Sequence, residues 1–530
     1  MSPSQPPGRI SCLLLCSLLA CVAELETGAP GSTGSTGTSL GVTSTGTEEA
    51  AASEPVELSE PEQSMASAPL EGVEADVAVV AVVADAEAAD EAEPPIAHWV
   101  AKRTTAVLAE PRWGAEIRGR IDMGAPFAIY EQVEGKGCSG AGWARVGALG
   151  FACLRDAEPS RRLPRAQPLV AAERVVPFTY AKAKANAAGE LLAPVPRYRS
   201  AASLAAGEAP VDWLQPHHQY AFIESRRVAG VGLILLDRNR RAVRADAMEL
   251  ERPSQFAGRD LEVRAVPVGV VAAWSAEAPT PVRVAPGLAA ELAGQISYHR
   301  EIHVDPAPVE ADGVDWYALR GEGLPVGFVS EEDIRRWIPA EPLADVRADE
   351  TWIDVELSQQ TLTLWRGSEP VFVTLISSGA GDNPTPRGIF RIWHKQALGD
   401  MRSLPGAVDS YTVEDVPWVQ YFHRRFALHT AFWHNKFGRK RSHGCINLSP
   451  RDAARVFAAT TPTMPPGWTF VYEHEEEAGT VVRVRKGTAP VFDRRRAIGD
   501  EPAAGEETAI DDEPSREVTA GSAGDDMAAP

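Results

Sequence analysis

Of the six cysteines in this 530-residue chain, Cys445 has the surroundings that suit covalent chemistry. It stands in Ser442-His443-Gly444-Cys445-Ile446-Asn447-Leu448, downstream of His429 in Phe426-Ala427-Leu428-His429. A cysteine attacks as its thiolate, a minor species at neutral pH when the pKa is near the ordinary value of about 8.5. An imidazole on a neighbouring strand takes that proton, and Arg424, Arg425, Lys436, Arg439, Lys440 and Arg441 supply a positive field that favours the anion. Gly444 lets the backbone turn tightly, so that amides near Cys445 converge on a developing oxyanion. A nucleophile, a base and oxyanion donors are the parts of acyl transfer. Five of the eleven histidines fall between His394 and His443, yet that region has no second cysteine and no His-x-x-x-His pair on a helix. No metal and no cofactor is therefore expected.

The elements that must hold these residues are mostly strands. Ile353, Val355 and Leu357 alternate with polar residues, Leu362 and Leu364 do so again, and Arg366-Gly367-Ser368-Glu369 turns into Val371–Ile376, which predicts an antiparallel meander. Pro384-Thr385-Pro386-Arg387-Gly388-Ile389-Phe390 is a rigid corner before a further strand. Ser449-Pro450-Arg451-Asp452 predicts a helix start, with Ser449 as N-cap, Pro450 at N1 and Asp452 reaching back. The nucleophile then lies just ahead of that helix. With 44 Gly and 42 Pro in the chain, turns are frequent and a mainly helical protein is excluded.

Residues 350–475 resemble the L,D-transpeptidase catalytic domain, also called the YkuD domain. The residues that carry the resemblance are Ser358 to Leu364, Ser377-Ser378-Gly379, Thr385-Pro386-Arg387-Gly388, Pro417-Trp418, His429 and the Ser442–Leu448 signature; Phe432-Trp433-His434-Asn435 also follows the family pattern. The resemblance implies a β-sandwich with a few short helices and a thiol acyltransferase of peptidoglycan. By position, Cys445 is the nucleophile, His429 the general base and acid, and Ser442 the residue that orients the imidazole through its backbone carbonyl. His443 and Gly444 shape the oxyanion loop, and Asn447, Trp418 and Arg441 contact substrate. The chain departs from the family at His429-Thr430-Ala431, where many members have Gly after the base histidine; a β-branched Thr430 narrows that place.

The rest of the chain reads as several units, since 530 residues exceed a single core. Residues 1–21 form an export signal ending in Leu18-Leu19-Ala20-Cys21, which resembles a bacterial lipobox and makes Cys21 a lipidation site; an ordinary cleaved signal is the alternative. Residues 22–97 hold 16 acidic residues and no Lys or Arg, and 497–530 hold 10 acidic residues against Arg516. These two segments account for more than the whole net charge of −21, leaving about +4 elsewhere, so the acidity belongs to solvated arms: a linker at 22–97 and a tail at 476–530. Such a chain is a poor partner for nucleic acid. Residues 98–160 and 276–345 resemble bacterial SH3-like modules, and 161–275 is a β-rich unit of unknown type. Cys138 and Cys153 can pair across a loop of about 15 residues in an oxidising compartment. The expectation is a mainly β, multi-domain, monomeric protein, exported to the periplasm or cell envelope, that acts on peptidoglycan stem peptides. Hydrolysis by a carboxypeptidase or amidase, protein-to-wall attachment, and a wall-binding scaffold with an idle catalytic domain remain alternatives.

Overall fold

The computed structural model describes residues 93–147, 150–186, 188–403 and 411–495. The signal with Cys21, the linker up to residue 92 and the segment from 496 onward lie outside the described residues. Within them the protein is mainly β, as the sequence predicts; α-helix is confined to Ala201–Ala205 and Pro450–Ala459.

Residues 351–485 form a sandwich of two sheets, and the strands are numbered here within that unit. The first sheet contains β1 (Thr351–Glu356), β2 (Thr361–Arg366), β3 (Glu369–Leu375), β4 (Gly388–Arg391) and β10 (Val481–Arg485), in the order β3-β2-β1-β10-β4. The β1-β2-β3 meander follows from alternation, with Gly367 at φ +54° making the tight turn between β2 and β3. The second sheet contains β5 (His394–Arg402), β6 (Thr412–His423), β7 (Phe426–Thr430), β8 (Ile446–Leu448) and β9 (Phe470–Tyr472). Between the sheets lies a core of Ile353, Val355, Leu362, Leu364, Phe390, Phe422, Leu428, Ile446 and Leu448, closed by Val456 and Phe457 of α1 (Pro450–Ala459). Ser449 caps α1 by accepting from Asp452 N, with Pro450 at N1. The Asp452 carboxylate reaches back to the Ser449 side chain as expected and has further partners. It is buried, accepts from Gly258 N and the Thr374 hydroxyl, and so ties α1 to β3.

Residues 476–495, expected in the tail, belong to this unit. In β10, Val482 and Val484 face the core, while Arg483 and Arg485 both reach the buried Asp354 of β1. Pairing offsets part of the cost of placing arginines in an interior strand. Further on, Ile389 N donates to Phe492 O and Arg494 N to Ile389 O.

Three further β-rich regions pack on the sandwich. Strands between residues 97 and 159 surround Val107, Ile121, Phe127 and Val146, and a disulfide joins Cys138 to Cys153. Their strand Ile117–Ile121 pairs with β9. His218–Phe222 of the next region lies parallel to β6, and Arg259–Asp260 pairs with β3. The last region begins at Val271 rather than 276, because Val271–Ser275 pairs with both Glu301–Val304 and Ile334–Arg336 and buries Trp274.

Candidate active site

A cavity of about 520 Å³ opens where β7 and β8 lie side by side. These parallel strands set His429 opposite Asn447 and place Cys445 at the entrance to β8. Cys445 and His429 line the same cavity, together with Ser442, His443, Asn447 and Arg441. Arg425, Phe426 and Trp433, already quoted from the sequence, are further walls, and the sequence reading missed Tyr411, Tyr421 and Met401. Tyr411 and Tyr421 carry no motif; Tyr421 flanks the site because it pairs with Ala427 of β7, and Tyr411, just ahead of β6, stacks on His443 at 5.3 Å.

The buried His429 has Nδ1 2.8 Å from Thr430 O. A carbonyl only accepts, so Nδ1 carries the proton and Nε2 is the basic nitrogen. The partner differs from expectation: Thr430 supplies the orienting carbonyl, while Ser442 O accepts from Ala380 N. The Ser442 hydroxyl has another task, donating to Cys445 O and accepting from Gly444 N. It thereby closes the turn that presents the sulfur. Gly444 has φ +106°, and a Cβ there would meet the Phe426 ring at 2.4 Å, so this position requires glycine. Thr385 braces the same turn from the Pro384–Gly388 corner, donating to Gly444 O at 2.8 Å.

The electrostatics also differ from expectation. Burial pushes the Cys445 thiol up, opposed by the Ala427 N–H and the Arg425 charge. Burial pushes His429 down to about 4, opposed by its bond to Thr430. The resting pair is therefore neutral thiol and neutral imidazole. Of the predicted basic residues, Arg425 lowers the thiol, Arg441 lines the cavity, and Arg439 pairs instead with Glu277. The sulfur, partly exposed to the cavity, lies 3.8 Å from Arg425 O.

Two substrate-contact expectations change. Trp418 does not line the cavity; it belongs to the sandwich core beside Phe422 and Leu428. Asn447 does line it, but is buried, with its amide 3.2 Å from His434 Nε2. Thr430 is fully buried, and its hydroxyl has no hydrogen-bond partner among the described residues. Among those residues no cluster of His, Cys, Asp and Glu suits a metal.

The model of the L,D-transpeptidase catalytic domain, YkuD, matches residues 350–484. Over 127 residues the chain is 29% identical to YciB of Bacillus subtilis, a provisionally named L,D-transpeptidase, covering 21% of this chain and 62% of that protein. It thus spans less than two thirds of that relative's length. Similar solved structures include an L,D-transpeptidase from Mycobacterium smegmatis, at 20% identity and TM-score 0.22, covering 38% of this chain and 94% of that one. Another is the Enterococcus faecium L,D-transpeptidase, at 23% identity and TM-score 0.21, covering 26% and 50%. On the family match, residues 350–484 are an L,D-transpeptidase catalytic domain of the YkuD family.

Proposed function

We propose that the protein is an exported L,D-transpeptidase that forms 3-3 cross-links in peptidoglycan through a cysteine acyl-enzyme. The observation that carries this reading is one cavity holding the Cys445 sulfur and a histidine whose Nε2 is the basic nitrogen. His429 takes the thiol proton as Cys445 attacks the carbonyl joining the third residue of a tetrapeptide stem, a diamino acid, to D-Ala. The C–N bond breaks, D-Ala leaves with that proton, and a thioester remains. The side-chain amine of a second stem then attacks; His429 accepts its proton and returns it to the departing sulfur. The energy of the cleaved peptide bond is conserved in the new one, so no nucleotide or metal is needed. Cys21 is the proposed lipid anchor of the exported chain.

The test is incubation with tetrapeptide-bearing muropeptides and mass analysis of the products. A dimer lighter than its two parents by D-Ala is expected, whereas free tripeptide alone would assign the domain to hydrolysis. Cys445→Ser should abolish turnover. His429→Ala should lower it by about 10²–10⁴-fold, the usual contribution of a general base. A cross-linking Cys445→Ser variant would sink the assignment.

A further inference from the structure

The two nitrogens of one imidazole fix the orientation of a neighbouring side chain in the catalytic cavity. His434 is buried, with Nδ1 3.1 Å from the backbone N–H of Lys436. A backbone amide only donates, so Nδ1 is bare and the proton of the neutral ring sits on Nε2. Burial, with the charge of Arg441 next in weight, keeps the ring neutral by pushing its pKa down to about 3. Nε2 faces the Asn447 amide at 3.2 Å. A protonated nitrogen needs an acceptor, so the atom facing it is the Asn447 carbonyl oxygen, and the NH₂ occupies the other terminal position. That other position is buried and has no hydrogen-bond partner among the described residues. Asn447 is 3% exposed, stands beside His429 in the β7–β8 register and lines the cavity with Cys445.

We propose that His434 is a positioning residue that turns Asn447 so that its NH₂ faces the cavity and donates to an acceptor oxygen, carbonyl or carboxylate, of the bound stem peptide. The identity of the ligand rests on the acyl-transfer reading above; the protonation of His434 does not. Buried donors are rarely left unpaired, and a donor that meets its partner only when substrate arrives discriminates for an oxygen at that point.

The full chain labelled with ¹⁵N-histidine, read by long-range ¹H–¹⁵N correlation, should show His434 protonated on Nε2 with Nδ1 bare. His434→Gln places an amide NH₂ where the Nε2–H stands, whereas His434→Asn reaches only the Nδ1 position. The Gln variant should keep kcat/KM for a tetrapeptide donor within about threefold. The Asn variant and Asn447→Asp, which replaces the cavity-facing NH₂ by oxygen, should each lose about 10- to 100-fold, the worth of one substrate hydrogen bond. Alkylation of Cys445 by iodoacetamide should be unchanged in the two His434 variants, a readout that a collapsed site would move. A proton on His434 Nδ1, or equal activity of the Gln and Asn variants, overturns the proposal. Were even the unmodified protein inert toward tetrapeptide, the acyl-transfer reading would fall, and the ¹⁵N spectrum would still decide the orientation of Asn447.

Discussion

His429 stays neutral down to about pH 4 because burial disfavours its charged form. The base is competent only when unprotonated, so its loss governs the acid limb of the rate profile. We expect kcat/KM to fall on that limb with a midpoint near 4; a midpoint at the ordinary 6.5, measured with tetrapeptide donor, would contradict the buried geometry. Thr430 makes a second case. Its hydroxyl is enclosed without a partner, so Thr430→Val keeps the shape and removes an unsatisfied polar group. Such a change should raise stability by about 1 kcal/mol, checked by denaturant unfolding. At this scale the sequence singled out the two side chains, Cys445 and His429, that the fold brings into one cavity. It did not reveal their partners. The carbonyl behind His429 comes from Thr430, not Ser442, because the imidazole bonds the residue next in chain, a choice that no side-chain identity records. Trp418 looked like a substrate contact, yet its left-handed backbone, φ +57°, accompanies burial in the core.

Elements were legible wherever one face is apolar. The β1–β3 meander and the Ser449-Pro450 start of α1 follow from alternation and capping chemistry. β10 was not legible, since Arg483 and Arg485 resemble the start of a charged tail. Their partner, Asp354, lies some 130 residues away in sequence. Asp354 is 1% exposed, so its removal strands two guanidinium groups in the interior. We expect Asp354→Ala to cost about 3–5 kcal/mol, visible as a drop in Tm, with β10 released from β1. A loss under 1 kcal/mol would show that the arginines find water instead.

Acid stability belongs to the whole molecule. Burial lowers His299 and His429 to about 4 and His394 and His434 to about 3. A depressed histidine contributes stability above its unfolded pKa of about 6.5 and loses it as pH falls. Asp415 and Asp452, raised by burial to about 6, act in the opposite sense, taking up protons in the fold between about 6 and 4. Burial also lowers His218 and His303 and raises Glu251, Asp333 and Glu414, so six lowered histidines stand against five raised carboxylates and a small excess of protons favours the unfolded chain in acid. Thermal melts from pH 6.5 to 4.5 should therefore fall steadily; a flat Tm over that range would refute this balance.

The pairing of Ile117–Ile121 with β9 and of His218–Phe222 with β6 makes the flanking regions part of the catalytic sheet itself. They shield backbone amides and carbonyls that would otherwise stand ready to recruit any extended peptide. A fragment cut at residue 350 would lose that insulation and be prone to clump with its own kind.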